Sequence, residues 1–254
     1  MQMTSYPEID ELLRELLCQI RRVLDGNFVG LYLYGSLVAG DFDPEISDLD
    51  LLAVTSSDID GQEFEQLRRM HDALVVENPE WENRIEVQYI AANALRTFKT
   101  QEGQMAAISP GEPLNVKSAG KKWLINWYSV REQGRVLFGP DPQTIIPSIS
   151  KAEFLQVVRE QARYWVEWTN QSRDQRGQSY AILTMCRAWY ALQWGKQPSK
   201  IQAALWVRRH FPQWSRLIQN ALVWRKATDE ELGEGEETFS ETASFIRFAH
   251  GRLD

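Results

Sequence analysis

The stretch Leu33-Tyr34-Gly35-Ser36-Leu37-Val38-Ala39-Gly40-Asp41, continuing through Ser47-Asp48-Leu49-Asp50-Leu51-Leu52, decides how this chain is read. Phe28 to Tyr34 (FVGLYLY) is rich in strand formers and runs into Gly35-Ser36, where glycine lets the backbone turn sharply and approach a ligand closely. If a helix begins there, its unpaired N–H groups aim at a phosphate, and the Ser36 hydroxyl adds a hydrogen bond. Leu49 to Val54 reads as a second strand. Residues two apart on a strand share a face, so Asp48 and Asp50 project together while Leu49 faces the core. Neighbouring carboxylates repel unless a cation lies between them. Hard oxygen donors suit Mg²⁺, which takes one or two protein carboxylates together with phosphate oxygens and water.

Two rival readings of the same stretch fail. Asp41, Asp43 and Glu45 suggest a calcium loop, but Ile46 and Leu52 occupy the positions that need Gly and Glu. Ser36 is not a hydrolase nucleophile, because the glycines of Gly-x-Ser-x-Gly are not in place around it.

Working outward, Ile9 to Leu24 reads as an amphipathic helix, with Leu12, Leu13, Leu16, Leu17, Ile20 and Val23 at helical spacing. Gly61 to Val76 reads as a second helix, and Arg84 to Ile90 as a third strand. Alternation there puts Ile85, Val87 and Tyr89 on one face and leaves Glu86 on the other. A glutamate inside an apolar strand is costly if buried unpaired. Beside the Asp pair it could share a metal or accept the proton of an acceptor hydroxyl. Residues 94–113 show no clear period. Lys121 to Gln133 reads as a helix, Val136 to Phe138 as a short strand, and Gly139-Pro140-Asp141-Pro142 as the strongest break.

After Ser150 the pattern turns helical: Lys151 to Thr169, Gln178 to Trp194, Ile201 to Phe211, Pro212 to Trp224 and Ser240 to Arg252, with an acidic connector at Thr228 to Glu237. The expected fold is therefore an α/β domain (a small mixed sheet with helices) over residues 1–147, followed by an all-α helical bundle over 148–254, with a cleft between them for small ligands. Trp165, Trp168, Trp189, Trp194, Trp206, Trp214 and Trp224 fall in these helices, and most are expected in the core.

Composition narrows the function classes. The net charge of −7 lacks the basic face that nucleic-acid binding requires, so no nucleic-acid partner is expected. The N-terminus carries Glu8, Asp10, Glu11 and Glu15 where a targeting segment needs apolar residues, and no run is long enough to span a bilayer. No membrane association, a cytoplasmic location and a monomer are expected. Cys18 and Cys186 lie far apart in helical sequence and read as buried thiols. His71, His210 and His250 have no zinc-ligand spacing.

A Gly-Ser turn followed by an Asp-x-Asp strand resembles the signature of the nucleotidyltransferase superfamily, and in particular the bacterial streptomycin/spectinomycin (aminoglycoside) adenylyltransferases. The similarity runs through LYGS, SDLDLL and the surroundings of Glu86, and again through Ile182-Leu183-Thr184, Arg187-Ala188-Trp189-Tyr190, Gly195-Lys196 and Lys200. The resemblance implies that Gly35 and Ser36 bind nucleotide phosphates and that Asp48 and Asp50 are catalytic metal ligands. It makes Glu86 the catalytic base and a further metal neighbour, and brings Arg187 and Lys200 to the ATP phosphates from the second domain.

The implied reaction is Mg²⁺-dependent transfer of AMP from ATP to a hydroxyl of a small acceptor, an aminoglycoside or aminocyclitol antibiotic, with release of pyrophosphate. One departure stands out. Where the family meets its cationic antibiotic with acidic and aromatic groups, this chain has Arg173-Asp174-Gln175-Arg176-Gly177-Gln178-Ser179, with Asp174 the only acid. Two alternatives therefore stay open: the same chemistry on a metabolite or protein hydroxyl, or a non-catalytic nucleotide-binding regulatory protein.

Overall fold

The first helix, α1 (Pro7–Leu24), starts with proline at its first turn, where a missing N–H costs nothing, and ends on Arg21 and Arg22, which complement its dipole. The structure is a computed structural model describing residues 3–168, 173–228 and 230–253, and the chain divides into two compact units, Met1–Ser148 and Ile149–Asp254.

In the first unit, β1 (Phe28–Tyr34) is followed by a single helical turn, α2 (Ser36–Ala39), and then by β2 (Leu49–Thr55). Helix α3 (Gly61–Glu77) opens with a capping box: the Asp60 carboxylate accepts from the amides of Gln62 and Glu63, and the Glu63 side chain accepts from the Asp60 amide. Next come β3 (Ile85–Ala91), α4 (Ala92–Thr97), β4 (Gly103–Ser109), β5 (Glu112–Ala119), α5 (Leu124–Gln133), β6 (Arg135–Phe138) and α6 (Pro142–Ile145). Among the described residues these strands form one sheet in the order β5-β4-β3-β2-β1-β6. The β2–β3 pair is parallel and needs the α3 crossover; the others are antiparallel.

Strand alternation gives the sheet two different faces. Leu31, Leu33, Leu49, Leu51, Ala53, Ile85, Val87 and Tyr89 form one core with Leu12, Leu13, Leu16 and Ile20 of α1 and Leu67, Met70 and Leu74 of α3. The opposite face carries Tyr34, Asp50, Glu86 and Gln88. Against that face lies α5, whose Trp127 is fully buried and meets Phe98 edge-on at 4.8 Å.

Several expectations change. Residues 94–113, which showed no period, hold the end of α4, β4 and the start of β5. The Gly139–Pro142 break lies inside the first unit, where the Tyr32 hydroxyl donates to the Pro140 carbonyl at 2.9 Å. Cys18 is exposed, because it falls opposite the Ile9, Leu13, Leu16 and Ile20 stripe of α1, whereas Cys186 is buried.

The second unit contains α7 (Lys151–Trp168), α8 (Gln175–Trp194), α9 (Lys200–His210), α10 (Ser215–Trp224) and α11 (Glu236–His250). Helix α8 packs against each of the other four. Buried Gln178 ties α8 to the start of α11, accepting from the Thr238 and Thr242 hydroxyls at 3.0 and 2.6 Å and donating to the Gly235 carbonyl at 2.8 Å. Fewer of the helical tryptophans are core than expected. Trp189 and Trp224 are buried, Trp165, Trp206 and Trp214 are half-buried, and Trp194 is 54% exposed at the last residue of α8, past the packed stretch. The Trp168 side chain, Thr169 and Asp229 lie outside the described residues. Among the described residues no helix is long and apolar enough to cross a membrane.

Candidate active site

Backbone register assembles the site. Tyr34 at the end of β1 pairs with Asp50 on β2, and Asp50 pairs in parallel with Glu86 on β3. Directly opposed residues share a sheet face, so phenol, carboxylate and carboxylate stand side by side across adjacent strands about 4.8 Å apart. Asp50 and Glu86 are half-buried, and Tyr34 is buried.

Gly35 closes over this row. Its φ is +74°, and a Cβ there would lie 1.8 Å from Asp50 Oδ2. The position therefore demands glycine twice over, for the left-handed backbone and for the close approach. Ser36 follows as the first residue of α2, so the expected helix start at the Gly-Ser turn exists as one turn.

Asp48 is delivered by a tight loop. The Asp43 amide donates to Ser47 Oγ at 2.9 Å, and the Ser47 amide to the Asp43 carbonyl at 2.9 Å. Arg84, just ahead of β3, locks the loop from outside. Its guanidinium donates to the carbonyls of Pro44 and Ser47, both at 2.7 Å, and stacks on Trp81 with 4.6 Å to the ring centroid. Its carbonyl accepts from the Leu49 amide at 2.8 Å, which fixes the start of β2 between the two aspartates.

Glu86 is held by groups the sequence reading did not single out. Its Oε1 accepts from the Tyr34 hydroxyl at 3.1 Å and from Gln88 Nε2 at 3.0 Å. The Tyr34 oxygen accepts from Gln88 Nε2 at 2.9 Å and from Asn126 Nδ2 at 3.2 Å, and Gln88 Oε1 accepts from the Trp127 indole at 3.2 Å. Burial, reinforced by the charges of Glu86 and Asp50, pushes the Tyr34 phenol well above its ordinary pKa, so it stays protonated and donates. Gln88 had a sequence signal, being a second polar residue on the Glu86 face of an apolar strand. Asn126, Trp127 and Arg84 had none, since their roles arise from contacts distant in sequence.

Among the described residues no three His, Cys, Asp or Glu side chains gather as a ready-made metal site. Asp48 and Asp50 alone supply hard oxygens two residues apart at the start of β2, a donor set that fits Mg²⁺ completed by phosphate and water. A polar cavity of about 770 Å³, lined among others by Ser57, Asn93, Glu102 and Lys117, lies at the opposite ends of β2 and β3 and contains none of these carboxylates.

In the second unit, Arg187 on α8 donates from Nε to the Pro198 carbonyl at 3.2 Å, which places it beside the turn that starts α9. Ser199 caps that helix by accepting from the Gln202 amide, and Lys200 is its first residue, with Nζ 5.6 Å from the Tyr180 ring centroid. The structure thus groups Arg187 and Lys200 in one region of this unit. The unusual segment before α8 has structural work: Asp174 caps the helix by accepting from the Gly177 amide, Arg173 pairs with Glu236 at 3.1 Å, and Arg176 donates to the Ala227 carbonyl.

Family models match both parts of the chain. Residues 14–99 match the nucleotidyltransferase domain family, and residues 144–249 match the aminoglycoside adenylyltransferase C-terminal domain family. Curated relatives include the aminoglycoside (3'') (9) adenylyltransferases of Escherichia coli, 24% identical over 97% of this chain and 95% of that protein, and of Shigella flexneri, 24% identical over 96% and 93%. The crystal structure of spectinomycin adenyltransferase from Enterococcus faecialis, with ATP and spectinomycin, matches 96% of this chain and 98% of its own with a TM-score of 0.75 at 18% identity. At that identity the likeness establishes a shared fold.

Proposed function

We propose that this chain, a nucleotidyltransferase with the two-domain layout of the aminoglycoside adenylyltransferases, transfers AMP from ATP to a hydroxyl of an aminoglycoside or aminocyclitol and releases pyrophosphate. The observation that carries the reading is the row of Tyr34, Asp50 and Glu86 on one sheet face, with Gly35 closed over the Asp50 carboxylate.

The roles are those that the family resemblance implies for these residues. Gly35 and Ser36 present backbone and hydroxyl to the nucleotide phosphates, and the same resemblance assigns Arg187 and Lys200 to phosphate binding. Asp48 and Asp50 would hold Mg²⁺, which when bound would neutralise phosphate charge. Glu86 accepts the proton of the acceptor hydroxyl as its oxygen bonds to the α-phosphorus. The bond from that phosphorus to the β-phosphate oxygen then breaks, and pyrophosphate carries away the electron pair. With Oε1 already engaged by Tyr34 and Gln88, Glu86 is assigned as base rather than as a metal ligand. The partners are ATP and a small acceptor, and the reaction is placed in the cytoplasm, where ATP is made available.

A second reading keeps the chemistry and changes the acceptor to a metabolite or protein hydroxyl. It is favoured by the segment before α8, whose single acid, Asp174, caps the helix.

Incubation with ATP, Mg²⁺ and a panel containing streptomycin, spectinomycin and other aminoglycosides, read by mass for an AMP adduct, tests both. An adduct that falls at least about 10²-fold in Asp50→Asn supports the proposal. Mg²⁺-dependent ATP binding with no adduct overturns the antibiotic assignment and points to other acceptors or to a non-catalytic binder. Absence of ATP binding overturns nucleotide transfer itself.

A further inference from the structure

The hydrogen-bond donors around Glu86 can be assigned one by one: the Trp127 indole fixes the Gln88 amide, and the structure turns the Asn126 amide nitrogen toward Tyr34. The Trp127 indole N–H can only donate, so the Gln88 amide must turn its oxygen toward Trp127 and its nitrogen toward the Tyr34 hydroxyl and Glu86. The Asn126 amide contact at 3.2 Å likewise comes from a nitrogen that only donates. The Tyr34 oxygen thus accepts from both amides, and its one proton is left for Glu86 Oε1 at 3.1 Å. Gln88, Tyr34 and Trp127 are all buried, so none of these bonds has water as a ready substitute.

We infer that Tyr34 is a positioning residue for the proposed base: together with Gln88, locked by Trp127, it saturates Glu86 Oε1 and so presents Oε2 to the acceptor hydroxyl in one orientation. The inference rests on the reading of Glu86 as the base. It also explains why a tyrosine rather than an apolar residue ends β1 against the sheet, where burial of a phenol would otherwise be costly. Helix α5 becomes part of the catalytic scaffold, since it supplies both Asn126 and Trp127. Without the hydroxyl, the carboxylate can rotate about its terminal torsion, which has broad minima. Substrate binding should then persist while the chemical step slows.

The test uses the full-length protein with ATP, Mg²⁺ and the best acceptor among streptomycin and spectinomycin. Tyr34→Phe should lower kcat about 10-fold or more while both KM values stay within about 2-fold, the pattern of a misoriented general base. Glu86→Gln should lower kcat about 10²-fold or more, and the double variant should be no slower than Glu86→Gln alone. The Trp127 indole N–H resonance, assigned through Trp127→Phe, should keep its wild-type position in Tyr34→Phe, showing that the fold and the Gln88 lock survive.

Should Tyr34→Phe fail to fold, Gln88→Met, which removes the other donor to Oε1, is expected to give the same split between kcat and KM. If Glu86→Gln is crippled but Tyr34→Phe keeps kcat within about 2-fold, the positioning role is overturned and the base stands. An equal further loss from Tyr34→Phe in the Glu86→Gln background overturns it as well, because Tyr34 would then act elsewhere. If Glu86→Gln retains kcat, the reading of the base falls and this inference falls with it.

Discussion

A methyl group on Gly35 would fall 1.8 Å from Asp50 Oδ2 at a φ of +74°. Either fact alone is unfavourable: at φ +74° and ψ −149° the backbone lies in an essentially glycine-only region that costs another residue about 1–3 kcal/mol. The contact is worse for function than for stability, because relieving it means moving the Asp50 carboxylate. Gly35→Ala is therefore expected to remain folded by circular dichroism while losing Mg²⁺-dependent ATP binding in calorimetry, with activity down by about 10²-fold. This requirement was partly legible in the sequence, since a Gly-Ser turn after a strand calls for a close approach. That the atom approached is Asp50 could not be read, because the contact depends on the β1–β2 register. Glu86 was legible as a charged residue within an apolar strand, on the face opposite Ile85, Val87 and Tyr89, whereas its contacts with Tyr34 and Asn126 needed the third dimension.

At the scale of elements, β1, β2, β3 and the long helices declared themselves through clean periods, and their observed bounds lie close to those expected. Strands β4 and β5 did not. The middle of β4 is Met105-Ala106-Ala107, with small residues of low strand preference, and β5 is an edge strand carrying Pro113 and Lys117, as edges commonly do. In the helical unit, periodicity located α8 but not what joins it to α11. Gln178 performs that task by satisfying the Thr238 and Thr242 hydroxyls and the Gly235 carbonyl inside the bundle. Gln178→Leu keeps the volume and removes the acceptor of the buried Thr242 hydroxyl, whereas the Gly235 carbonyl keeps the Thr238 and Phe239 amides and the Thr238 hydroxyl as donors. The expected result is a lower urea midpoint of unfolding with an unchanged slope, reflecting a loss of about 1–3 kcal/mol.

Across the whole molecule, acid should act on one unit before the other. His71 is buried against Tyr89, its Nε2 2.8 Å from the phenol oxygen, and burial lowers its pKa to about 4. The unfolded chain protonates this residue below about 6.5 while the folded chain does not, so between those values the unfolded state holds more protons and stability falls as pH falls. The loss by pH 4 is about 3 kcal/mol at most. Buried Asp10 adds to it at lower pH. Burial opposes its charge, but hydrogen bonds from Thr4 and from the Met3 amide, with Arg14 nearby, hold its carboxyl below the usual range, so its contribution vanishes as pH drops through that lowered pKa. Both groups belong to the unit of Met1–Ser148. Urea melts from pH 7 to pH 4.5 should show that unit losing stability, and His71→Gln should flatten the decline between pH 6.5 and 4.5.

The alternation of β2 has one more effect. Leu49 and Leu51 look into the oily side of the sheet and Asp50 into the opposite side, Asp50 and Leu51 with partners on both neighbouring strands and Leu49 with Ile85 on β3. Sliding β2 by a single residue would drive a charge into the packing of α1 and α3 and leave a leucine on the face that carries Glu86. A mispaired chain is thus both unstable and inert. Folding quality and chemical competence are tested by the same event, so this sheet keeps no reservoir of molecules that look native yet cannot work.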